Sequence, residues 1–278
     1  MIIVCCVVVL FNPQVDIVLE NSNQYDFDVV FIDNTENPKY DLNSKRITHV
    51  KNNTNIGIAA ALNQGIKLAA QRGFNYVITL DQDSIINQVQ ILSLINCLEK
   101  RSDSNQLAVV SPCHSIKGFI NQKLENGNNA VSLRTMTSGN LLSIEIWRML
   151  GGFRDDLFID MVDVEYYAHA IKNGYKILIL SDVVIEHNVG DRTYVNLLFF
   201  KIPIPNHSYL RKYYQIRNML YVVSKYKHDV PEISYYTWSM IKIIIGTVFF
   251  ESDKFRKIKY MYLGVYDYLH GVLGKCKW

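Results

Sequence analysis

Two carboxylates one residue apart, Asp81 and Asp83, end the apolar, β-branched run Phe74-Asn75-Tyr76-Val77-Ile78-Thr79-Leu80. Such a run is the signature of a buried strand. Side chains alternate along a strand, so Asp81 and Asp83 project on one side and Gln82 on the other. Carboxylates at the carboxyl end of a strand in an open α/β sheet sit where such sheets bind ligands. Two hard oxygen donors there suit Mg²⁺ or Mn²⁺, and a metal in that place would hold phosphates. The same letters also describe a surface turn in which Asp83 or Ser84 caps the next helix. The rest of the chain has to decide between these readings.

A second constellation is Asp160, Asp163 and Glu165, three carboxylates within six residues. Asp160 and Asp163, three apart, would share one face of a helix opening at Ile159. Early carboxylates suit a helix N-terminus. The alternative is a general base that a rigid element points into a cleft, able to take the proton of an acceptor hydroxyl. His187 follows Glu186 at the end of another short apolar strand. It is either an edge residue or, as a neutral imidazole, a third ligand beside two carboxylates.

The elements that must position these groups alternate regularly. Ile2–Leu10 is a continuous β-branched run, the mark of a strand buried on both faces of a parallel sheet, and Phe11-Asn12-Pro13 ends it. Helix-forming Gln14–Gln24, a second strand at Asp28–Ile32 and a third at Ile47–Val50 follow. The turn-rich Asn52–Gly57 leads into a helix over Ile58–Arg72 with Gly73 as its stop. Beyond the Asp81–Asp83 strand the pattern predicts a helix at Val89–Glu99, a strand at Ala108–Val110, and an exposed hairpin or loop at Ser115–Val131. It then predicts a helix at Ile144–Leu150 and short strands at Tyr175–Leu180 and Val183–Ile185. This alternation implies a mostly parallel sheet with helices on both faces. After Gly190 the character changes. Tyr209–Tyr226 is an aromatic and basic helix, Tyr235–Phe250 is apolar, and Lys254–Lys259 carries four basic residues in six.

The composition narrows the class. The 278 residues are 49% hydrophobic and 20% charged, with a net charge of +3. That is a globular balance, too mildly basic for nucleic acid, and no stretch joins dense Lys/Arg to stacking aromatics. Five cysteines, at 5, 6, 97, 113 and 276, form no C-x-x-C pair. A disulfide framework or zinc site is not expected, and the usage fits a reducing compartment. Met1–Leu10 lacks a basic n-region and a cleavage site, and ten residues do not span a bilayer.

Taken in order, several short segments resemble the family 2 glycosyltransferases, nucleotide-sugar-dependent enzymes of the GT-A fold, and among them bacterial rhamnosyltransferase-like members. They are Phe11-Asn12-Pro13, Val30-Phe31-Ile32-Asp33-Asn34-Thr35, Asn55-Ile56-Gly57 through Asn63-Gln64-Gly65-Ile66, and Leu80-Asp81-Gln82-Asp83-Ser84. Ser138-Gly139-Asn140-Leu141, Gly151-Gly152-Phe153, Leu157 through Tyr166 and Glu186-His187 complete the series. The resemblance covers roughly residues 3–225. It implies an α/β GT-A catalytic domain over 1–203, with a nucleotide-sugar-binding half at 1–105 and an acceptor-binding half at 106–203. A C-terminal helical region, 204–278, would associate with membrane or form a dimer. It implies that Asn12, Asp33, Asn55, Gly57, Asn63 and Asp81 bind the donor, Asp33 through its base. Asp83 and His187 would bind Mg²⁺ or Mn²⁺, with Asp81 reaching ribose or metal-bound water. Asp163 would be the catalytic base, and Asp160 and Glu165 would orient it or the acceptor. The expected partners are a nucleoside-diphosphate sugar, most simply dTDP-rhamnose, and a glycan or lipid-linked saccharide, with no nucleic acid. The expected place is the cytoplasm, at the inner face of the cell membrane.

Departures and alternatives bear on the donor. Leu10 stands before Phe11-Asn12-Pro13 where family members often carry a hydroxyl, and His169 stands where they often carry Arg. Galactofuranosyltransferases share much of the Asp81–Ser84 and Leu157–Tyr166 wording. A nucleotidyltransferase would need a Gly-rich, Arg/Lys-bearing loop after strand one, which Phe11-Asn12-Pro13-Gln14 is not. A non-catalytic nucleotide-sugar-binding scaffold would not need Asp81, Asp83, Asp163 and His187 intact.

Overall fold

A computed structural model of the chain describes residues 2–22, 27–116, 119–120, 130–186, 193–197, 200–204 and 206–278. The first half is built as the apolar runs demand: β1 (Val4–Leu10), α1 (Val15–Ser22), β2 (Asp28–Asp33), β3 (Ile47–Lys51), α2 (Ile58–Gln71), β4 (Tyr76–Asp81) and α3 (Gln88–Glu99). β5 (Leu107–Ile116), β6 (Phe119–Ile120), β7 (Ala130–Val131), β8 (Asn140–Ser143), α4 (Ile144–Leu150), α5 (Val162–Lys172) and β9 (Lys176–Glu186) follow. The chain continues with β10 (Thr193–Leu197), β11 (Phe200–Ile204), α6 (Tyr209–Tyr226), α7 (Ser234–Phe250) and α8 (Lys254–Leu269).

The main sheet has the order β3-β2-β1-β4-β8-β5-β9-β7, with β6 beside β5. β1 runs parallel to β2 and β4, and β2 parallel to β3. β8 is antiparallel to both β4 and β5, so those two point the same way, and β9 is parallel to β5. The carboxyl ends of β1, β2, β3, β4, β5 and β9 therefore share one edge. Apolar side chains cover both faces. Leu62 and Ile66 of α2, Tyr166 and Tyr167 of α5 and Val222 of α6 pack on one face. Ile91, Leu94 and Leu98 of α3 pack on the other. Cys5 and Cys6 are buried strand residues, and burial pushes the Cys5 thiol up to about 12. The five cysteines are unpaired.

Three local readings change. Leu141–Ser143, not read as a strand from sequence, lies within β8, wedged antiparallel into the sheet centre because its neighbours β4 and β5 bury it on both sides. The two short strands around Ser181-Asp182 are one bulged strand, β9. The acidic helix begins at Val162, with left-handed Met161 at its N-cap, so Asp160 lies in the preceding loop and not on a shared helix face. Ser115–Val131 is described only in part, as the ends of β5 and β7 and the two-residue β6.

Candidate active site

The helix after β4 is capped by Asn87, which accepts the Gln90 amide while the Gln90 side chain accepts the Asn87 amide. This reciprocal box satisfies two helix donors. Asp83 and Ser84 are thus not the cap, and Asp83 stays exposed at the sheet edge. A turn from Ser84 N to Asp81 O, 3.1 Å, holds the pair's backbone. Gln82, in the turn just beyond β4, accepts the Phe11 amide at 2.9 Å and so ties the end of β4 to the end of β1.

The segment Thr137-Ser138-Gly139-Asn140 joins this edge to the acidic helix. Ser138 Oγ accepts the Asp81 amide at 3.1 Å, Gly139 N donates to Thr79 O at 2.6 Å, and Thr79 Oγ1 donates to Thr137 O at 2.6 Å. Asn140 Nδ2 meets the Tyr167 hydroxyl of α5 at 2.5 Å. The Asp163 carboxylate accepts the Val164 amide at 2.8 Å, with Thr137 nearby. Burial raises the Asp163 pKa, and the nearby Asp160 charge adds to this, against the lowering effect of Val164 and Thr137. A carboxylate shifted upward is moved toward the working range of a general base. Burial likewise raises Asp160, opposed by Arg211 of α6, whose Nη2 lies 3.2 Å from it.

The expected donor-binding residues fall into two groups. Asn12, at φ 47°, is exposed at the end of β1, its amide donating to Thr35 Oγ1 at 2.8 Å. Asn55 Oδ1 accepts the Gly57 amide at 2.9 Å, and Gly57 O accepts from Asn34 Nδ2 at 3.1 Å, which sets the loop before α2. Asp33 and Asn63 are turned inward. Asp33 is fully buried; it accepts the Thr35 amide at 2.8 Å and the Tyr40 hydroxyl at 2.6 Å, with His49 Nε2 at 3.1 Å. Burial alone would push its pKa up, but the bonds from Thr35, Tyr40 and His49 hold it below the usual value. Leu42 N donates to His49 Nδ1, so Nε2 carries the proton given to Asp33. Asn63 Nδ2 donates to Phe153 O and Asp155 Oδ1, and its oxygen accepts from Trp147 Nε1 and Phe153 N. Its amide is saturated, so in this conformation it ties α2 to the Gly151–Asp155 turn and has no bond left for a donor. Glu165 is likewise turned inward. It is 2% exposed and accepts from Lys225 Nζ at 2.8 Å and Tyr226 Oη at 2.6 Å, both on α6, an element that periodicity cannot place beside it.

Among the described residues no three His, Cys, Asp or Glu side chains are grouped to hold a metal. His187, the expected third ligand, lies outside the described residues; β9 brings the chain to the same edge as Asp81 at Glu186. The exposed Asp83 and half-buried Asp81 are hard oxygen donors on the ligand edge of the sheet, a set that fits a hard divalent cation.

Sequence reasoning left several site residues without a role. Ser138 was visible only as part of a motif, Tyr40 and His49 carry no motif, and Arg211, Arg217, Asn218 and Lys225 showed only as an aromatic, basic helix.

The solved structures of similar fold include GalNAc-T7 with UDP, GalNAc and Mn²⁺ (TM-score 0.58, 13% identity, covering 81% of this chain and 48% of that one). They also include Staphylococcus aureus TarS 1–349 (TM-score 0.57, 13% identity, covering 98% of this chain and 81% of that one). The chain thus spans about half the length of the first. The fold is that of the GT-A glycosyltransferases. At the sequence level, the chain is 27% identical to the dTDP-rhamnosyl transferase RfbF of Shigella flexneri, over 96% of this chain and 95% of that protein. The family model described as glycosyl transferase family 2 matches residues 12–158, just over half of the chain. The protein belongs to glycosyl transferase family 2.

Proposed function

We propose that the protein is an inverting glycosyltransferase that moves L-rhamnose from dTDP-rhamnose to a hydroxyl of a glycan or lipid-linked saccharide in bacterial polysaccharide synthesis. The similarity to a dTDP-rhamnosyl transferase, running nearly end to end in both chains, supports the donor. The observation that carries the chemistry is the segment 137–140, where Ser138 holds the Asp81 amide and Asn140 bonds Tyr167 on the helix that carries Asp163. It couples a phosphate-side carboxylate to a half-buried base.

In the reaction the acceptor hydroxyl gives its proton to the Asp163 carboxylate as its oxygen attacks the anomeric carbon. The bond from that carbon to the diphosphate breaks, its electron pair leaves with the nucleotide, and the configuration inverts. One base suffices because no covalent intermediate forms. Asp83 and His187, with Asp81 through metal-bound water, would hold Mg²⁺ or Mn²⁺, which would supply positive charge against the departing diphosphate. Asn12, Asn55 and Gly57 shape the donor side, while Asp33 and Asn63 set the loops that border it. Asp160 sits beside the base and orients the acceptor.

A membrane surface is the remaining partner. Only 11% of the apolar segment Pro231–Phe250 is buried. Trp238, Phe249, Phe255 and Leu269 are each more than two-thirds exposed, and Lys254, Arg256 and Lys259 are exposed on α8. Aromatic and aliphatic side chains flanked by cations fit the interface of an anionic bilayer, which would place the protein at the cytoplasmic face.

A screen of nucleoside-diphosphate sugars with Mn²⁺ tests the donor. dTDP-rhamnose should give the largest rise in Tm and support turnover, and a larger rise with another sugar would replace it. Sedimentation with phosphatidylglycerol vesicles tests the surface. Trp238→Glu with Phe255→Glu should abolish binding; unchanged binding by that variant, or a concentration-dependent dimer in place of binding, would remove the membrane reading.

A further inference from the structure

The family match stops at residue 158, and the loop that delivers the base begins there. Phe158, Asp160 and Met161 have φ of 66°, 61° and 64°, three non-glycine residues in the left-handed region within four positions. Such backbone persists only where surrounding groups over-determine it. Besides the Ile58 amide on Phe158 O, the groups that meet this loop come mainly from α6.

Asn218 is fully buried, and its single amide NH₂ lies 2.9 Å from Leu157 O, 2.7 Å from Ile159 O and 3.0 Å from Asp160 O. Arg217, also fully buried, directs Nη2 to Leu157 O at 3.2 Å and Nε to Asn218 Oδ1 at 2.9 Å. The Nε–H can only donate, so the Asn218 oxygen must face it and the NH₂ must face the three carbonyls. Nη1 of Arg217 reaches Gly274 O at 2.7 Å and the Tyr213 hydroxyl at 3.2 Å. The guanidinium thus spends its donors on neutral oxygens of the catalytic loop, the C-terminal segment and its own helix. The Tyr214 ring stacks on Phe158 at 5.2 Å, and Glu165 of α5 is anchored by Lys225 and Tyr226.

We infer that Arg217 and Asn218 are positioning residues for the transfer step: they impose the left-handed path of Leu157–Met161 that starts α5 and aims Asp163. Neither touches substrate. The inference rests on the assignment of Asp163 as the base, and it places a requirement for activity in a helix beyond the family-matched region. The carbonyls that Asn218 gathers converge on one point, so no main-chain group of the loop replaces it.

The test compares Asn218→Ala and Arg217→Gln with Leu98→Ala, a core truncation on the opposite face of the sheet that serves as a destabilised control. Rates are measured well below each Tm, with dTDP affinity in Mn²⁺ and hydrogen exchange of residues 157–163. The clamp variants should lose kcat by about 100-fold, the cost of a displacement of about 1 Å at the reacting groups. Their dTDP affinity should stay within about threefold, and the acid limb of their pH–kcat profile should move to lower pH as Asp163 loses its enclosure. Exchange at 157–163 should accelerate in them and not in Leu98→Ala. Wild-type kcat, or exchange no faster than in Leu98→Ala, would overturn the inference. Asp163→Asn is assayed in parallel. If it retains turnover, the base assignment fails, and the exchange data still decide whether the clamp holds the loop.

Discussion

Gly57 joins the loop before α2 to the loop before α5, and Gly57→Ala tests that junction quantitatively. Its φ of 89° and ψ of 161° lie in a region open essentially to glycine alone, and forcing another residue there costs about 1–3 kcal/mol. A Cβ at this position would stand 2.8 Å from Phe158 O and 3.0 Å from Phe158 Cα, both backbone atoms. Restoring ordinary contact from 3.4 Å requires the Phe158 carbonyl to retreat by about 0.6 Å. That carbonyl accepts the Ile58 amide at 2.7 Å and stands two residues before Asp160. Overpacking adds about 1–3 kcal/mol. Together the terms predict a loss of about 2–6 kcal/mol, a fall in Tm of roughly 4–24 °C. Because a misplacement of about 1 Å costs about 100-fold in rate, a 0.6 Å shift should lower kcat roughly tenfold. Gly73→Ala separates strain from collision: its φ is 88°, but nothing lies within 4 Å of its Cβ. It should lose about 1–2 kcal/mol and keep kcat. Thermal melts and initial rates on both variants decide the matter. A Gly57→Ala protein that matches Gly73→Ala in Tm and in kcat would refute the coupling of the two loops.

Asp163→Asn should reduce transfer by about 10²–10⁴-fold while dTDP binding changes little, and near-normal turnover would remove the base assignment. The wild-type kcat should rise with pH through an apparent pKa above the usual carboxylate range, because the base must be deprotonated. Since that pKa is raised on folding, Asp163 favours the folded state at acid pH and this contribution fades as pH climbs through its native pKa. Asp163→Asn should therefore melt no lower than wild type at neutral pH, as judged by calorimetry. Asp83→Ala should weaken Mn²⁺-dependent dTDP binding by at least about tenfold, since loss of even an outer-shell partner brings such factors; equal calorimetric affinities would contradict the metal reading. Glu165→Gln should lose about 1–3 kcal/mol in urea melts yet retain transfer, because its partners Lys225 and Tyr226 belong to α6; a base-like collapse of kcat would return Glu165 to the chemistry.

Much of the candidate site's edge of the sheet was legible in the chain itself. Buried strands announce themselves as β-branched runs, and a carboxylate at the end of such a run can only lie at the rim of a sheet. That logic singled out Asp81 and Asp83 as candidate ligands, and the order of short motifs pointed to Asp163 as the candidate base. Local pattern also located α6 at Tyr209–Tyr226, where the aromatic and basic run and the helix share their bounds. It placed the start of the acidic helix three residues early, since a left-handed turn at Asp160 and Met161 has no sequence mark when no glycine makes it. Direction of side chains was the larger gap. Asp33, Asn63 and Glu165 sit in motif segments, yet each carboxylate or amide is consumed by partners 2 to 92 residues away. Which of two polar atoms faces solvent and which faces a distant carbonyl is a property of packing between elements. For the same reason Asn218, one letter in an aromatic and basic helix, acquires its meaning only when α6 lies against the loop after Leu157, and three carbonyls far away in the chain meet one amide.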